Sequence, residues 1–287
     1  MRARAALLAL ALVAAATAAQ ARPPVWVVRD ADSEMVLFGS IHVLPPDLDW
    51  KPPALAKALA SANDVWFELP IDPASNAETG QLAAQRGMLP AGQTLPALLS
   101  REGAARLARV TAAYGLPPGQ IDRLQPWYAE VALAWLMLHK FGADAASGVE
   151  QQVSGQAPPG AVRRAFETPA EQIALFADAP LAEQTASLEQ SLEEMEESPD
   201  QMAVLVRDWQ AGDLAALDRD ALEPLREASP ALFARLITAR NARWVAALKT
   251  RLEGRGKSVV VVGMGHMIGP DGLPAQLRAL GYSVEGP

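Results

Sequence analysis

Short apolar runs bounded by polar residues predict three β-strands between residues 25 and 69. Two runs rich in valine and aromatic residues, 25–29 and 35–39, are separated by a short polar turn, a spacing typical of a β-hairpin. A helix with proline in its first turn is predicted over 53–62, and a third strand over 65–69. This part of the chain is therefore predicted to be rich in strands.

From about residue 76 to residue 252, apolar residues recur at the three- to four-residue spacing of helices. Four residues with this spacing predict a helix that buries an aromatic stripe: Trp127, Val131, Trp135 and Leu138. A β-like segment at 162–166 interrupts the helices, and a long helix is predicted over 230–252. The acidic stretch 189–197 is predicted to be a solvated helix end.

A run of valines at 258–262 predicts a buried strand, and a helix over 272–280 and a last strand over 282–285 follow it. Strands therefore lie near both ends of the chain, with helices between them. This order predicts an α/β (or α+β) fold, in which one domain has a central sheet built from strands near both termini and a mostly helical middle.

Residues 1–21 have the pattern of a secretory signal peptide. Arg2 and Arg4 precede an apolar run over 5–16, and Ala19-Gln20-Ala21 resembles a signal-peptidase site. We expect cleavage after Ala21, which leaves a single domain over 22–287 that is periplasmic or secreted. No later apolar run has the roughly 20 residues that a membrane-spanning helix needs, so no membrane span is expected in the mature chain.

Composition excludes several kinds of site. The chain has no cysteine, which rules out disulfides, thiolate zinc sites, iron–sulfur clusters and cysteine nucleophiles. Its formal net charge is −8, whereas proteins that bind nucleic acid are usually basic, so we expect no nucleic-acid partner. The sequence also has no H-E-x-x-H, G-x-S-x-G or P-loop motif. Any hydrolytic site must therefore be of another kind.

Two of the three histidines occur in the same local setting. His42 and His266 each end a Gly-x-x-His sequence that follows a predicted strand, and Gly39 and Gly263 are the glycines. Open α/β sheets place ligand sites where strands end. Glycine there allows positive φ or a close approach of the backbone. Both histidines are candidates for one site, and the alternative is that they are ordinary loop or core histidines.

Glu68 is a charged residue in the otherwise apolar strand predicted over 65–69. A buried carboxylate needs a cation or several donors. With His42 and His266 it forms the set of two nitrogens and one carboxylate that is typical of hydrolytic metal sites, and Mn²⁺, Co²⁺ or Zn²⁺ would fit. The alternative is a salt bridge from Glu68 to Arg240 or Arg29.

The sequence resembles the TraB/GumN family, whose animal relatives include the Tiki metalloproteases. The motifs that carry the resemblance are FGSIHVLP near the start of the mature chain and VVVVGMGHMIGPDGLPAQLRALGYSVE at the C-terminus, with FELP, FETPAEQIALF and ARNARW between them. The family's two motif histidines match His42 and His266, and its strand glutamate matches Glu68. Glu167 and Arg240 match further acidic and Arg-Asn positions.

This resemblance implies a peptidase that depends on a divalent metal ion. Together with the signal-peptide pattern of residues 1–21, it leads us to expect an exported metal-dependent hydrolase with a peptide or small polar substrate. Glu167 or Glu150 is then the candidate general base, and Arg240 would stabilise an oxyanion or hold a substrate carboxylate. The rival hypothesis is a non-catalytic binding protein that uses the same pocket for a metal, haem or a small ligand. A third is a chain that only folds, with Glu68 paired to an arginine.

The metal hypothesis makes a geometric prediction. The ring nitrogens of His42 and His266 should lie roughly 3–4 Å apart, because two ligand atoms that are each about 2.1 Å from one ion are separated by about this distance. Glu68 should point into the same cleft, with Arg240 and Glu167 lining its wall. The alternative places the histidines on separate surfaces, with Glu68 bonded to arginine far from both.

Overall fold

The core of the fold is one sheet within residues 22–287, the part of the chain that the computed structural model describes. Residues 1–21, and with them the predicted signal peptide, lie outside the described residues. The strands of the sheet are β1 Val25–Arg29, β2 Ser33–Ser40, β3 Asp64–Phe67, β4 Val162–Ala165, β5 Gly256–Gly263 and β6 Ser283–Glu285. Their order is β4-β3-β5-β2-β1-β6.

Neighbouring strands from β4 to β2 run parallel, whereas β1 is antiparallel to both β2 and β6. The predicted hairpin of β1 and β2 is therefore confirmed, and strands from both ends of the chain share the sheet. The predicted α/β fold, with a mostly helical middle, is also confirmed.

The central strands β2 and β5 are buried on both faces, which explains their nearly continuous apolar sequences. Their register pairs Ser40 with Gly263, and the register of β3 with β5 pairs Phe67 with Val261. The carboxyl ends of these three parallel strands therefore meet at one edge of the sheet. Glu68 lies directly after β3 instead of inside it, because the strand ends two residues earlier than the sequence pattern predicts.

Helices connect the strands and cover the sheet. They are α1 Pro53–Ala60, α2 Pro73–Arg86, α3 Leu95–Leu98, α4 Arg101–Ala113, α5 Pro126–Lys140, α6 Val149–Gln156, α7 Pro169–Ala177, α8 Leu181–Glu197, α9 Gln201–Ala211, α10 Leu214–Leu217, α11 Glu223–Ala228, α12 Pro230–Phe233, α13 Ala239–Leu252 and α14 Leu273–Ala279. Within residues 22–287, no helix is both long enough and apolar enough to cross a membrane.

The long helix predicted over 230–252 contains a π-helical segment, Ala234–Thr238, between α12 and α13. A second π-helical segment, Asp218–Leu222, lies between α10 and α11. π-helical turns occur often at functional sites. Both segments face the sheet edge where the parallel strands end, because residues of each line the pocket described below.

Helix α5 buries only part of the aromatic stripe that its spacing predicts, since Trp127 is buried but Trp135 is not. The Trp135 side chain is 48% exposed, and the fully buried positions are Ala129 and Leu133. These smaller side chains face a second apolar cluster, which includes Leu188 and Leu192 of α8. The helices therefore pack through a face that is rotated from the predicted one.

Candidate functional site

A pocket of about 460 Å³ opens at the carboxyl ends of β2, β3 and β5. His42, Glu68, Arg240 and His266 line it, together with apolar side chains. We call it the histidine pocket. The structure therefore brings four of the five site residues predicted from the sequence into one pocket; the fifth, Glu167, is not among its lining residues.

The glycines of the two Gly-x-x-His sequences allow close packing. Neither has a positive φ; that of Gly263 is −48°. A Cβ atom on Gly39 would lie 2.6 Å from Met264 Sδ, and one on Gly263 would lie 3.2 Å from Glu68 Oε1 and 3.3 Å from His42 Nε2. Of the two reasons for glycine at these positions, the close approach therefore applies and the positive φ does not.

His42 is oriented by a buried glutamate. Its Nδ1 lies 2.7 Å from Glu150 Oε1, and the same oxygen accepts a hydrogen bond from the Ser40 hydroxyl. The charge of Glu150 raises the pKa of His42 to about 9, although the imidazole is 61% exposed and solvent screens part of this interaction. Burial acts to raise the pKa of Glu150, but the charge of His42 and the hydrogen bonds from His42 and Ser40 together lower that pKa.

His266 is oriented by an amide. Its Nδ1 lies 2.7 Å from Asn241 Oδ1, and the Asn241 amide nitrogen donates to the carbonyl of Asp271 at 2.7 Å. Since Asn241 Oδ1 only accepts, Nδ1 carries the ring proton and Nε2 keeps a lone pair. Burial lowers the pKa of His266 to about 4, so the ring is neutral at pH 7.

The Glu68 carboxylate lies between the two histidines. Its Oε1 accepts the Gly263 N–H at 2.7 Å and is 3.8 Å from His266 Nε2. From the two distances to the Cβ position at Gly263, 3.2 and 3.3 Å, Oε1 and His42 Nε2 are at most 6.5 Å apart. Burial acts to raise the pKa of Glu68, but interactions with His266, Arg240 and His42 lower it to about 2.

Arg240 fills the space next to Glu68 and His266. Its NH2 donates to Glu68 Oε2 at 2.5 Å, and its NH1 donates to His266 Nε2 at 3.0 Å. Contacts to Glu167, the Leu236 carbonyl and the Gln172 side chain use the remaining N–H groups. All five donors of this guanidinium are therefore engaged. The salt bridge that the sequence offered as an alternative to the histidine site is present, and it is part of that site.

Glu167 lies behind Arg240. Its two oxygens accept from Nε and NH2 of Arg240 at 2.8 and 2.9 Å, and Arg243 approaches Oε1 at 3.3 Å. Glu150, the other general-base candidate, is likewise not among the residues that line the pocket. The expectation that Glu167 lines the cleft is therefore wrong.

Within residues 22–287, no group of three or more His, Asp or Glu side chains is arranged to hold a metal ion. Arg240 contacts His266 Nε2 and Glu68 Oε2, which are two atoms of the predicted ligand set. An ion could reach His266 Nε2 only if NH1 of Arg240 moved away from it.

Two residues of this site had no predicted role. Asn241 orients His266, and Gln172 Oε1 accepts from Arg240 NH2 at 3.2 Å. Asn241 follows Arg240 in the ARNARW segment, so the Arg-Asn pair was a usable signal for it. Gln172 lies one turn into α7 and has no distinctive sequence context.

A comparison with protein families gives a match over residues 24–286 to the model described as the TraB/PrgY/gumN family. No curated protein and no solved structure matches the chain significantly.

Proposed function

The chain belongs to the TraB/PrgY/gumN family, and we propose that it is an exported hydrolase that cleaves peptides with the help of one divalent metal ion. His42, His266 and Glu68 are the proposed ligands. The resemblance of the two Gly-x-x-His motifs to those of the Tiki proteases supports a peptide as the substrate.

The observation that carries this proposal is the orientation of the two imidazoles. Each holds its Nδ1 against a side-chain oxygen, Glu150 Oε1 or Asn241 Oδ1, so Nε2 is the ring nitrogen on the pocket side. Metal-binding histidines are commonly fixed by such an outer hydrogen bond. Together with the ionised Glu68, these atoms form the two-nitrogen, one-oxygen set that suits Mn²⁺, Co²⁺ or Zn²⁺.

The residues fit an ion on two conditions. NH1 of Arg240 must leave His266 Nε2, and His42, whose pKa of about 9 makes it a cation at pH 7, must release its Nε2 proton. When bound, a divalent ion would polarise a carbonyl group and lower the pKa of its bound water to about 7.

The remaining side chains have separable roles. Released from His266, NH1 of Arg240 can donate to an oxyanion in the pocket, while the two bonds from Glu167 hold the guanidinium in place. Glu150 and Asn241 are positioning residues for His42 and His266. Glu68 is the carboxylate among the lining residues of this pocket and would be the third ligand of the ion; its pKa of about 2 makes it a weak base.

Cleavage of a peptide library tests the proposal. The purified protein, reconstituted separately with Mn²⁺, Co²⁺ and Zn²⁺, is incubated with the library, and new termini are identified by mass spectrometry. We expect cleavage that a chelator abolishes reversibly and that Glu68→Gln abolishes. Glu193→Gln, which changes an exposed carboxylate outside the pocket, should cleave like the wild type.

Two results would contradict the proposal in different ways. Metal binding at His42 and His266 without any cleavage would favour the rival hypothesis, a binding protein. Cleavage that persists in Glu68→Gln would place the activity elsewhere or in a contaminant.

Export rests on the signal-peptide pattern of residues 1–21. N-terminal sequencing of the protein after expression in a Gram-negative host should find a mature chain that starts at Arg22. A chain that retains residues 1–21 and stays in the cytoplasm would contradict export, but it would leave the proposed hydrolase activity unaffected.

A further inference from the structure

A second cavity, of about 680 Å³, adjoins the histidine pocket. The two share four lining side chains: Phe176, Leu205, Ala221 and Leu236. The shared wall is wholly apolar. A chain-like ligand held at His42 and His266 could therefore continue along this wall into the second cavity. Because several carboxylates line it, we call it the acidic cavity.

Two of the carboxylates in the acidic cavity are neutralised there. Arg235 donates to Glu183 at 2.6 Å, and Arg219 donates to Asp220 at 2.7 Å. All four side chains line the cavity. Each of these two ion pairs has no net charge.

The other two carboxylates, Glu130 and Glu194, have no cationic partner within residues 22–287. Glu130 Oε1 accepts the hydroxyls of Ser187 and Ser191 at 3.0 and 2.7 Å, and Glu194 accepts from the Gln190 amide at 2.9 Å. Burial raises the pKa of Glu130, and the charge of Glu194 raises it further. The charges of Glu130 and Glu194 therefore repel each other, and the neutral donors around them only partly compensate their carboxylate oxygens.

The same cavity contains buried polar atoms with no hydrogen-bond partner among residues 22–287. They are Gln184 Oε1, on a residue that is only 7% exposed, and Arg235 NH1. Unsatisfied buried polar atoms in a native fold call for an explanation. A peptide carries N–H donors for an atom like Gln184 Oε1 and carbonyl acceptors for one like Arg235 NH1.

We propose that the acidic cavity binds the part of a peptide substrate that extends from the histidine pocket, and that this part carries a primary ammonium group held by Glu130 and Glu194. The inference rests on the proposed function, which identifies the substrate as a peptide. An ammonium group suits the site because its three N–H donors match carboxylate and hydroxyl oxygens. Trp127 and Val131 offer apolar surface to the rest of the chain.

The ammonium group can be a peptide's N-terminus or a lysine side chain, and three probe peptides distinguish these sources. They are trileucine amide with a free amino terminus, its N-acetylated form, and N-acetyl-leucyl-leucyl-lysine amide. Binding is measured by isothermal titration calorimetry with metal-free protein, so that no cleavage occurs.

We expect at least one of the two charged peptides to bind about tenfold or more tightly than acetylated trileucine amide, since hydrogen bonds to charged groups are the strong ones. Glu130→Gln should remove this preference. The variant should fold, because it removes an uncompensated buried charge, and circular dichroism checks this. The matched control Glu193→Gln removes a charge from the same helix, α8, that carries Glu194, but outside the cavity, and should keep the preference.

Equal binding of all three peptides, or a preference that survives in Glu130→Gln, would overturn the inference. Failure of the proposed function looks different. If no metal binds and no peptide is cleaved, the ammonium preference and its loss in Glu130→Gln would still establish the site. If cleavage is metal-dependent but indifferent to the ammonium group, the proposed function stands and the inference falls.

Discussion

NH1 of Arg240 lies 3.0 Å from Nε2 of His266, on the lone pair that the orientation of the ring leaves free. The same guanidinium donates to Glu68 and Glu167. Arg240 thus stabilises a cluster of buried carboxylates and also competes with any ion for His266. The proposed ion would therefore have to displace the contact of Arg240 with His266.

Removing Arg240 should destabilise the protein strongly. In Arg240→Met, the buried carboxylates of Glu68 and Glu167 lose their compensating charge, and breaking a buried pair in this way costs about 3–5 kcal/mol. Arg243→Met is the matched control, because Arg243 also contacts Glu167 but its side chain is 57% exposed, and such pairs contribute about 0–1 kcal/mol. Urea unfolding of both metal-free variants measures the difference; equal losses would refute this role for Arg240.

Glu150 should control the protonation of His42. The carboxylate raises the pKa of His42 to about 9, so Glu150→Gln should lower that pKa towards the ordinary histidine value of about 6.5. NMR titration of the ring signals of His42 in metal-free wild-type and variant protein measures this. An unaltered His42 titration would show that the Glu150 contact does not persist in solution.

A methyl group at Gly263 should block the histidine pocket without unfolding the chain. The backbone φ of −48° suits alanine, but the new Cβ would lie between Glu68 Oε1 and His42 Nε2. We expect Gly263→Ala to weaken metal binding at least tenfold. Gly265→Ala is the control, since its Cβ would meet only the ends of Leu222 and Ile237. Equal metal affinity in both variants would contradict a metal site in the histidine pocket.

Stability should depend on pH through Glu130. Burial raises its pKa, so the folded protein keeps this proton to higher pH than the unfolded chain does. The contribution of Glu130 is therefore least unfavourable in acid, and stability falls as pH rises from about 4.3 through the folded pKa. Glu130→Gln should be more stable than the wild type at pH 7 and lose this advantage near pH 4.

Chemical denaturation at the two pH values, with Glu193→Gln as the control, checks this prediction. If Glu130→Gln is less stable than the wild type at pH 7, then Glu130 has a compensating partner in solution, and the acidic cavity is not short of a cation.

The sequence was most informative where one physical cause dominates. The valine run of β5 is buried on both faces. It pairs with β2, which also has a nearly continuous apolar sequence, because both strands belong to the same core. Because parallel strands end at one edge, the positions of His42 and His266 at this edge could be predicted from the two Gly-x-x-His sequences alone.

Features that depend on tertiary packing could not be predicted. Helical spacing does not show which face of α5 meets α8, and Trp135 is exposed because Ala129 and Leu133 take the contact. Nor does spacing show that one arginine serves Glu68 and Glu167 together, since these residues are far apart in the chain. The acidic cavity likewise forms only when α5 and α8 meet the segment around Arg235.

Metal binding by the purified protein tests the central claim most directly. After reconstitution with Mn²⁺, Co²⁺ or Zn²⁺ and removal of free ions, elemental analysis should find close to one ion per chain in the wild type and in His139→Ala, whose histidine is exposed and outside the pocket. His42→Ala and His266→Ala should each lose the ion. A wild-type protein that binds none of the three metals, or His42→Ala and His266→Ala variants that bind as well as His139→Ala, would contradict the metal site and the hydrolase built on it.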